Sequence, residues 1–292
     1  MMSYYYLAII ITLVAYTVYG IIGKKYIGGA GYQNFVPIFV FFVFIGSLVM
    51  LFASYHRISF ESGELQYFVL LGVLYTAASY LVFYSLERER LGVVSTILAS
   101  QGPLIALFSS FLFKPLSFPR AALASYIIIV GVIILTVSFG HAGNKYKKGI
   151  NRIVALAITG NLIWVIMWVI FYKIPGSGTP ISYFTWVSLF AVLSSAAMFV
   201  LMKAGRKHVK VRIKQNIAWI APISAAGFII GLGTSTFAFS YIINPVFTPI
   251  IVELSGPLVL IASVIILKEK FSTKELVGLL LILAGIFSYS LL

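Results

Sequence analysis

Ten long apolar runs, separated by short polar connections, make up almost the whole chain. A helix needs roughly 20 apolar residues, at about 1.5 Å rise each, to cross a hydrocarbon core of about 30 Å. The runs are continuous, whereas the strands of a membrane barrel alternate apolar and polar residues over about ten positions. The pattern therefore predicts an all-α membrane protein with ten transmembrane helices. The predicted spans are Tyr5–Gly23, Phe35–Ser54, Leu65–Leu86, Leu91–Phe113, Ala121–Phe139, Ile153–Tyr172, Ile181–Met202, Ile217–Ser240, Val246–Leu267 and Leu276–Leu292.

The shortest connection lies between spans three and four. Only Glu87, Arg88, Glu89 and Arg90 interrupt the apolar pattern there. Four consecutive charges inside hydrocarbon would be very unfavourable. We therefore expect a tight turn at these four residues.

Basic residues are distributed unevenly between the two sets of connections. Of the 21 lysines and arginines, 17 follow odd-numbered spans, 4 follow even-numbered spans and none lies at a terminus. Short loops rich in Lys and Arg stay in the cytoplasm. Both termini are therefore predicted outside the cytoplasm, in a multi-pass protein of the plasma membrane. The first span has no basic residue before it and no small-residue cleavage site after it, so it is predicted to be a retained helix.

The composition excludes several classes of protein. The chain is 61% hydrophobic and only 10% charged, whereas soluble domains carry about 25% charged residues. A net charge of +14 would suit nucleic acid, but the basic residues are spread over short loops with no folded basic domain. The chain has no Cys, and His56, His141 and His208 lie in loops without metal-ligand spacing. We expect no metal, no cofactor and no nucleic-acid partner.

The two halves of the chain resemble each other. Each side of the basic loop 141–152 holds five spans, and an odd number forces the halves to insert in opposite orientations. The predicted units are residues 1–140, a cytoplasmic linker at 141–152, and residues 153–292. An offset of 154 positions superposes Gly102 on Gly256, Pro103 on Pro257, Leu104 on Leu258, Ser109 on Ser263, Lys114 on Lys268 and Gly131 on Gly285.

Inverted repeats usually place a substrate site near the membrane midplane, beside interrupted helices. Proline cannot donate to the carbonyl four residues before it. Pro103, after Gly102, frees the carbonyl of Ala99, and Pro257, after Gly256, frees that of Glu253. We therefore expect helix breaks at symmetric positions in spans four and nine, facing a cavity or each other.

Glu253 is the one ionisable residue inside a predicted span. It lies roughly 10 Å deep at 1.5 Å per residue, where an ionised carboxylate costs about 2.5 to 3.5 kcal/mol or more. We expect it to bind a cationic or hydrogen-bonding group of the substrate, or to carry a proton exchanged for the substrate. The alternative is a structural Glu that stays protonated and hydrogen-bonded to a hydroxyl or a backbone carbonyl.

Other polar and aromatic residues lie on helical faces that can line the same cavity. For each of them the alternative is helix packing, because small and hydroxyl-bearing residues are enriched where membrane helices meet. An amide such as that of Asn161 needs several hydrogen-bonding partners in lipid. The candidates for substrate or ion binding, besides Glu253, are Asn161, Trp164, Tyr75, Ser79, Thr96 and Ser235.

Short motifs near the end of the chain resemble a known family. Ser-Gly-Pro-Leu at Ser255–Leu258, Leu-Lys-Glu-Lys-Phe at Leu267–Phe271, and the following Gly278 and Gly285 are similar to the EamA-type branch of the drug/metabolite transporter superfamily. The resemblance implies ten helices, with one to four and six to nine around a central cavity and five and ten outside it. The family usually shows Gly-Glu after span four, where this chain has Lys114-Pro115, and after span nine Lys268 replaces the glycine.

The resemblance favours secondary-active transport, with export of amino acids or related small metabolites and amphipathic compounds by alternating access, and with protons as candidate coupling ions. Sugar or nucleotide-sugar exchange is the alternative substrate class, and a membrane scaffold or sensor that moves no solute is the alternative from another class. Catalysis is not expected, because the spans contain no His, Lys, Arg or Asp and a single Glu. No nucleotide-binding loop occurs, so the driving force must come from a gradient or from another subunit.

Overall fold

The computed structural model describes residues 2–53, 61–102, 104–105, 107–108, 118–139, 152–171, 174, 179–204, 217–240 and 255–291. These residues form helices and connections, with no strand among them. The helices are α1 (Met2–Ala30), α2 (Tyr32–Ala53), α3 (Leu65–Arg88), α4 (Leu91–Ala99), α5 (Phe118–Phe139), α6 (Arg152–Phe171), α7 (Pro180–Ala204), α8 (Ile217–Ser240), α9 (Ser255–Leu267) and α10 (Thr273–Leu291). Each corresponds to one predicted span, so the expected all-α architecture is confirmed for this part of the chain.

Five of these helices are long and apolar enough to cross a membrane by themselves. They are Leu7–Lys25, Tyr32–Ala53, Leu65–Arg88, Arg152–Phe171 and Pro180–Lys203. Their outer surfaces carry large apolar side chains, among them Val49 and Phe52 on α2 and Val200 and Leu201 on α7, which are 62 to 69% exposed. Apolar side chains exposed to this extent are stable in contact with lipid. The chain is a multi-pass membrane protein.

The connection between α3 and α4 is as short as the sequence predicts, and the connection between α1 and α2 is shorter than predicted. α3 ends at Arg88 and α4 begins at Leu91, which confirms the tight turn in the charged run. α1 runs past its predicted end through Lys24 to Ala30 and stops at Gly31, whose φ of 76° is unfavourable for residues with a side chain. α2 then begins at the next residue.

Helix packing is organised by pairs that join the two halves of the chain. The counterpart of each helix in the first half is the helix five places later, so α1 corresponds to α6 and α3 to α8. α1 packs on α8, and the exchange of counterparts turns this pair into α6 on α3, which is also observed. The same exchange relates α2–α8 to α3–α7 and α1–α9 to α4–α6, and it leaves α2–α7, α4–α9 and α5–α10 unchanged. Most of the close packing among the described helices therefore lies between the halves.

The buried core lies between α1 to α4 on one side and α6 to α9 on the other. Its largest fully buried side chains include Phe35 and Phe39 of α2, Phe68 and Phe83 of α3, and Met167 of α6. α5 and α10 pack on each other, where a Cβ on Gly131 would lie 2.8 Å from the carbonyl oxygen of Gly278. α5 and α10, the fifth helix of each half, thus form a close pair, and α5 also makes a minor contact with α4.

Candidate functional site

The interface between α3 and α6 brings together four of the residues predicted from the sequence. Tyr75 and Ser79 lie one turn apart on α3, and Asn161 and Trp164 lie one turn apart on α6. The rings of Tyr75 and Trp164 are 6.4 Å apart between centroids, at an interplanar angle of 44°. All four side chains are buried, and Trp164 is the most exposed of them at 8%.

Each of these four side chains has a buried polar atom without a hydrogen-bonding partner in the part of the protein that the structure describes. The atoms are the hydroxyl oxygens of Tyr75 and Ser79, Oδ1 of Asn161 and Nε1 of Trp164. A buried polar group without a partner costs about 1 to 3 kcal/mol. These four atoms can form hydrogen bonds with a polar group that enters the interface.

The Asn161 amide is oriented by α4. Its Nδ2 donates to the carbonyl of Ile97 at 3.0 Å and to the hydroxyl of Ser100 at 2.9 Å. Both donor hydrogens of the amide are therefore used by the protein, and Oδ1 is left as an acceptor. Regular helix in α4 stops at Ala99, and Ser100 forms a turn before helical residues 101 and 102. The amide thus binds α4 where its regular backbone pattern is interrupted.

Aromatic rings from both halves form a connected group around Tyr75. Tyr75 contacts Phe184 of α7 and Phe228 of α8, with ring centroids 6.3 and 6.5 Å apart. Phe228 in turn contacts Tyr19 of α1 at 5.7 Å, and Trp168 stacks on Phe184 at 6.4 Å and 5°. The wall of the site is apolar and aromatic, and it includes residues of α1, α3, α6, α7 and α8.

Thr96 has a different environment from these four residues. It is 2% exposed, and its hydroxyl donates to the carbonyl of Gly92, four residues earlier in the same helix, at 2.7 Å. A hydrogen bond of this kind, within one helix, is what the packing alternative predicts for Thr96. Ser235 lies in α8, and its side chain is outside the described part, as are Glu253 and Pro103.

The remaining predicted break positions lie where α4 and α9 cross. Gly256 packs against α4, where a Cβ would lie 2.5 Å from Cβ of Ala99 and 3.0 Å from the carbonyl oxygen of Ser95. Pro257 follows Gly256 in α9 and is buried as well. Gly102 is buried.

Several residues that shape this region were not singled out from the sequence. Ser224 of α8 is fully buried, with a hydroxyl that has no partner within the described residues. Ser224 and Phe228 lie eleven and seven residues before the predicted Ser235, and these spacings keep them on the same helical face. Following that face toward the start of the helix could have found both. Ser100 and Phe184 carry no such signal, because only the packing of separate helices shows what they contact.

Glu64 is an acid that lies just outside the predicted spans, one residue before the third. It is 2% exposed at the start of α3, and the hydroxyl of Tyr183 in α7 donates to its Oε1 at 2.5 Å. Its Oε2 accepts the backbone N–H of Glu61 at 2.8 Å. Farther along the same pair of helices, the hydroxyls of Thr76 and Ser194 are 2.6 Å apart. The α3–α7 interface is thus hydrogen-bonded at several levels.

Comparison with known proteins identifies the family. Residues 151–291, which comprise the second five helices, match the EamA-like transporter family. Through this half, the chain belongs to the EamA-like transporter family. The resemblance drawn from Ser255–Leu258 and Leu267–Phe271 is confirmed, and the protein is a membrane transporter of the drug/metabolite transporter superfamily.

Solved structures support the same fold for this EamA-like transporter. The crystal structure of a protein with 16% sequence identity aligns with 99% of this chain and 97% of that chain, at a TM-score of 0.66. Because the alignment covers both halves, the helical fold extends beyond the family match into residues 1–150. No curated protein matches the sequence.

Proposed function

We propose that this EamA-like transporter is a secondary-active carrier that exports amino acids or related small metabolites and amphipathic compounds across the plasma membrane. The observation that carries this proposal is the group of unpaired polar atoms on Tyr75, Ser79, Asn161 and Trp164 inside an aromatic wall. It offers one acceptor, one N–H donor and two hydroxyls, which suit a small solute that combines an apolar body with hydrogen-bonding groups.

Alternating access follows from a proposed inverted repeat of residues 1–140 and 153–292. The pairing of α1–α8 with α3–α6, and of α2–α8 with α3–α7, supports the repeat because the pairs exchange when the halves are exchanged. A site at the interface of such halves opens to one face or the other as they tilt. The basic connections support cytoplasmic loops and termini outside the cytoplasm.

Glu253 is proposed to bind a cationic group of the substrate or to carry a coupling proton. Its support is the position of a lone acid in a predicted span, at the repeat equivalent of Ala99. The test is transport by Glu253→Gln as a function of pH. A loss of pH dependence supports proton coupling, and a loss of affinity for cationic solutes alone supports substrate binding. Unchanged transport with an unchanged pH profile assigns Glu253 a structural role.

Sugar or nucleotide-sugar exchange is the second candidate. A nucleotide sugar carries phosphates, and a desolvated phosphate needs cationic or oriented N–H donors. Neither the four polar side chains of the site nor the aromatic side chains beside them carry a positive charge. This chemistry favours the amphipathic class over the phosphorylated one.

The direct test begins with a thermal-shift screen of purified protein against neutral, aromatic and cationic amino acids, sugars, nucleobases and amphipathic cations. A solute that stabilises the protein is then used in counterflow with proteoliposomes. The matched variants are Tyr75→Phe, which removes an unpaired hydroxyl, and Tyr80→Phe, which removes one that donates to the carbonyl of Ser195 at 3.3 Å. We expect Tyr75→Phe to raise the solute concentration needed for a half-maximal thermal shift about tenfold. Tyr80→Phe should leave that concentration unchanged.

Two outcomes would contradict the proposal. If no solute in the panel is exchanged by protein that is folded and correctly inserted, the scaffold or sensor alternative is favoured. If a solute is exchanged but its affinity is insensitive to Tyr75→Phe, Ser79→Ala and Trp164→Phe, transport stands and the site lies elsewhere.

A further inference from the structure

A carboxylate from the second half binds the first turn of a helix in the first half. Oε1 of Glu269, in the connection between α9 and α10, accepts the N–H of Leu91 at 2.9 Å. Oε2 of the same side chain accepts the N–H of Gly92 at 3.1 Å. The first N–H groups of a helix have no partner inside the helix, and the positive end of its dipole attracts an anion. Glu269 satisfies two of these groups in α4 with one charge.

Other contacts tie the same two connections together. The Arg90 guanidinium donates to the carbonyl of Lys270 at 2.7 Å and lies 5.8 Å from the centre of the Phe271 ring. Gly92 also faces Phe271, since a Cβ on this glycine would lie 2.6 Å from Cζ of the ring. The turn between α3 and α4 is thus held to the turn between α9 and α10 by charge, hydrogen bonds and an aromatic side chain.

Lys24 anchors α1 to the same turn. Its ammonium donates to the backbone carbonyls of Leu86 at 2.6 Å and of Glu89 at 2.5 Å. The carboxylates of Glu269, Glu89 and Glu87 attract it electrostatically. We give the name Glu269 clamp to three sets of contacts: those of Glu269 with the start of α4, of Arg90 with the α9–α10 connection, and of Lys24 with the α3–α4 turn. It gathers α1, α3, α4 and the α9–α10 connection at one face of the membrane.

The sequence does not repeat this clamp at the opposite face. Under the offset of 154, the counterpart of Glu269 is Pro115 and the counterpart of Leu91 is Pro245. Pro115 has no carboxylate, and Pro245 has no N–H to donate. Both partners of the first hydrogen bond are missing from the equivalent pair. The side chains available to hold the bundle closed therefore differ between its two faces.

We propose that Glu269 is a positioning residue for transport, which holds the bundle closed at the face of the α3–α4 and α9–α10 turns and biases the resting protein toward opening at the other face. This inference rests on the proposed repeat and on alternating access. Under the proposed topology the closed face is the cytoplasmic one, and opening it requires release of α4 from the carboxylate.

The absence of Cys from the chain allows a direct test. Ser224→Cys is a conservative reporter, because Ser224 is fully buried and its Oγ would lie 3.8 Å from a Cβ on Gly23, the residue before Lys24. The rate of reaction with N-ethylmaleimide is measured in the reporter alone, in the reporter with Glu269→Gln, and in the reporter with Glu87→Gln. Glu87 is the matched control, since its carboxylate accepts the N–H of Tyr32 within the same half at 3.0 Å.

We expect Glu269→Gln to increase the labelling rate at least tenfold and Glu87→Gln to change it less than twofold. Glu269→Asp, which shortens the side chain by one methylene and cannot span both N–H groups, should give an intermediate rate if Glu269→Gln does not fold. Thermal unfolding is recorded for every variant in order to recognise a general loss of stability. Such a loss would accelerate labelling in both Gln variants, and that result would overturn the proposal. Equal labelling rates for Glu269→Gln and the reporter alone would also overturn it.

This test does not depend on transport. If labelling responds to Glu269 but no solute is exchanged, the clamp stands and the proposed function fails. If solutes are exchanged but labelling does not respond, the proposed function stands and Glu269 has no gating role.

Discussion

Nδ2 of Asn161 lies 2.9 Å from the hydroxyl oxygen of Ser100, and this hydrogen bond joins α6 to the residue at which α4 leaves its regular helical path. The Ser100 hydroxyl in turn donates to the carbonyl of Ile97 at 2.7 Å. One amide from the second half thus supports an interrupted helix of the first half. The bond leaves Oδ1 as the atom of Asn161 that is available to the proposed substrate.

A double-mutant cycle on this pair measures what the hydrogen bond contributes to stability. We expect Asn161→Ala to lower the free energy of unfolding by about 1 to 3 kcal/mol, because it removes two buried hydrogen bonds. Ser100→Ala should cost about 1 kcal/mol, and the coupling energy between the two should be about 0.5 to 1.5 kcal/mol. Chemical denaturation in detergent measures all four proteins. Strict additivity would show that the hydrogen bond contributes nothing to stability.

Tyr75→Phe should leave the ligand-free protein at least as stable as the native chain. Its hydroxyl is buried and has no partner among the described residues, so its removal relieves a cost of about 1 to 3 kcal/mol or changes nothing. Tyr80→Phe should instead lower the melting temperature, because the hydroxyl of Tyr80 donates to the carbonyl of Ser195 and this hydrogen bond would be lost. Differential scanning fluorimetry without ligand checks both. A clear loss of stability in Tyr75→Phe would mean that the hydroxyl already has a partner.

Lys268→Gly should stabilise the protein. Lys268 has φ of 56° at the end of α9, and a left-handed residue other than glycine costs about 1 to 2 kcal/mol. We expect a gain of about 1 kcal/mol, or a melting temperature about 2 to 4 °C higher. Lys274→Gly, in the first turn of α10 and exposed, is the matched control, and it should not stabilise the protein because its backbone is already in a conformation that a side chain tolerates. Equal effects of the two substitutions would contradict the role of backbone conformation.

Gly256→Ala should weaken the crossing of α4 and α9. The added methyl group would lie 2.5 Å from Cβ of Ala99, and relief of such an overlap typically costs 1 to 3 kcal/mol. Gly63→Ala adds the same methyl group where nothing lies within 4 Å, so it should not show this loss. Unfolding of both variants, together with counterflow, measures the effect. If Gly256→Ala is as stable as the native chain, the two helices are free to separate at this point.

The proposed topology has its own test, because the chain provides a cysteine-free background. Ser3→Cys should react with a membrane-impermeant maleimide in intact cells. His208→Cys, in the most basic connection, should react only after the membrane is opened. The reverse pattern would show that the charge distribution does not set the orientation of this chain.

The positions of the helices follow from hydropathy because burial in lipid is a local property of the sequence. Leu65 and Leu91 are both predicted and observed as first residues of spans, and Leu267 as a last residue. The end of α1 differs, since hydropathy stops at Gly23 while the backbone stays helical to Ala30. Hydropathy shows where a helix is apolar, whereas the end of a helix depends on the backbone, here on the positive φ of Gly31.

The candidate site was only partly predictable for a related reason. Tyr75, Ser79, Asn161 and Trp164 stand out as polar or aromatic residues on helical faces, so their chemistry is visible in one helix at a time. Their unpaired atoms, and the satisfied hydroxyl of Thr96, depend on what the neighbouring helices and the helix itself supply. The contact of Glu269 with Leu91 joins residues 178 positions apart, and no local pattern in the chain encodes that distance.

The close pairing of α5 with α10 has a consequence for how the protein is made. Ribosomes synthesise about 5 to 20 residues per second, so α5 waits on the order of ten seconds for α10, while α6 to α9 are still being added. α1 and α3 likewise wait for α8 and α6. The first half must therefore enter the bilayer before its main packing partners exist. Each of its early helices has to be apolar enough to remain there alone, and their later association then turns separately inserted segments into a transporter.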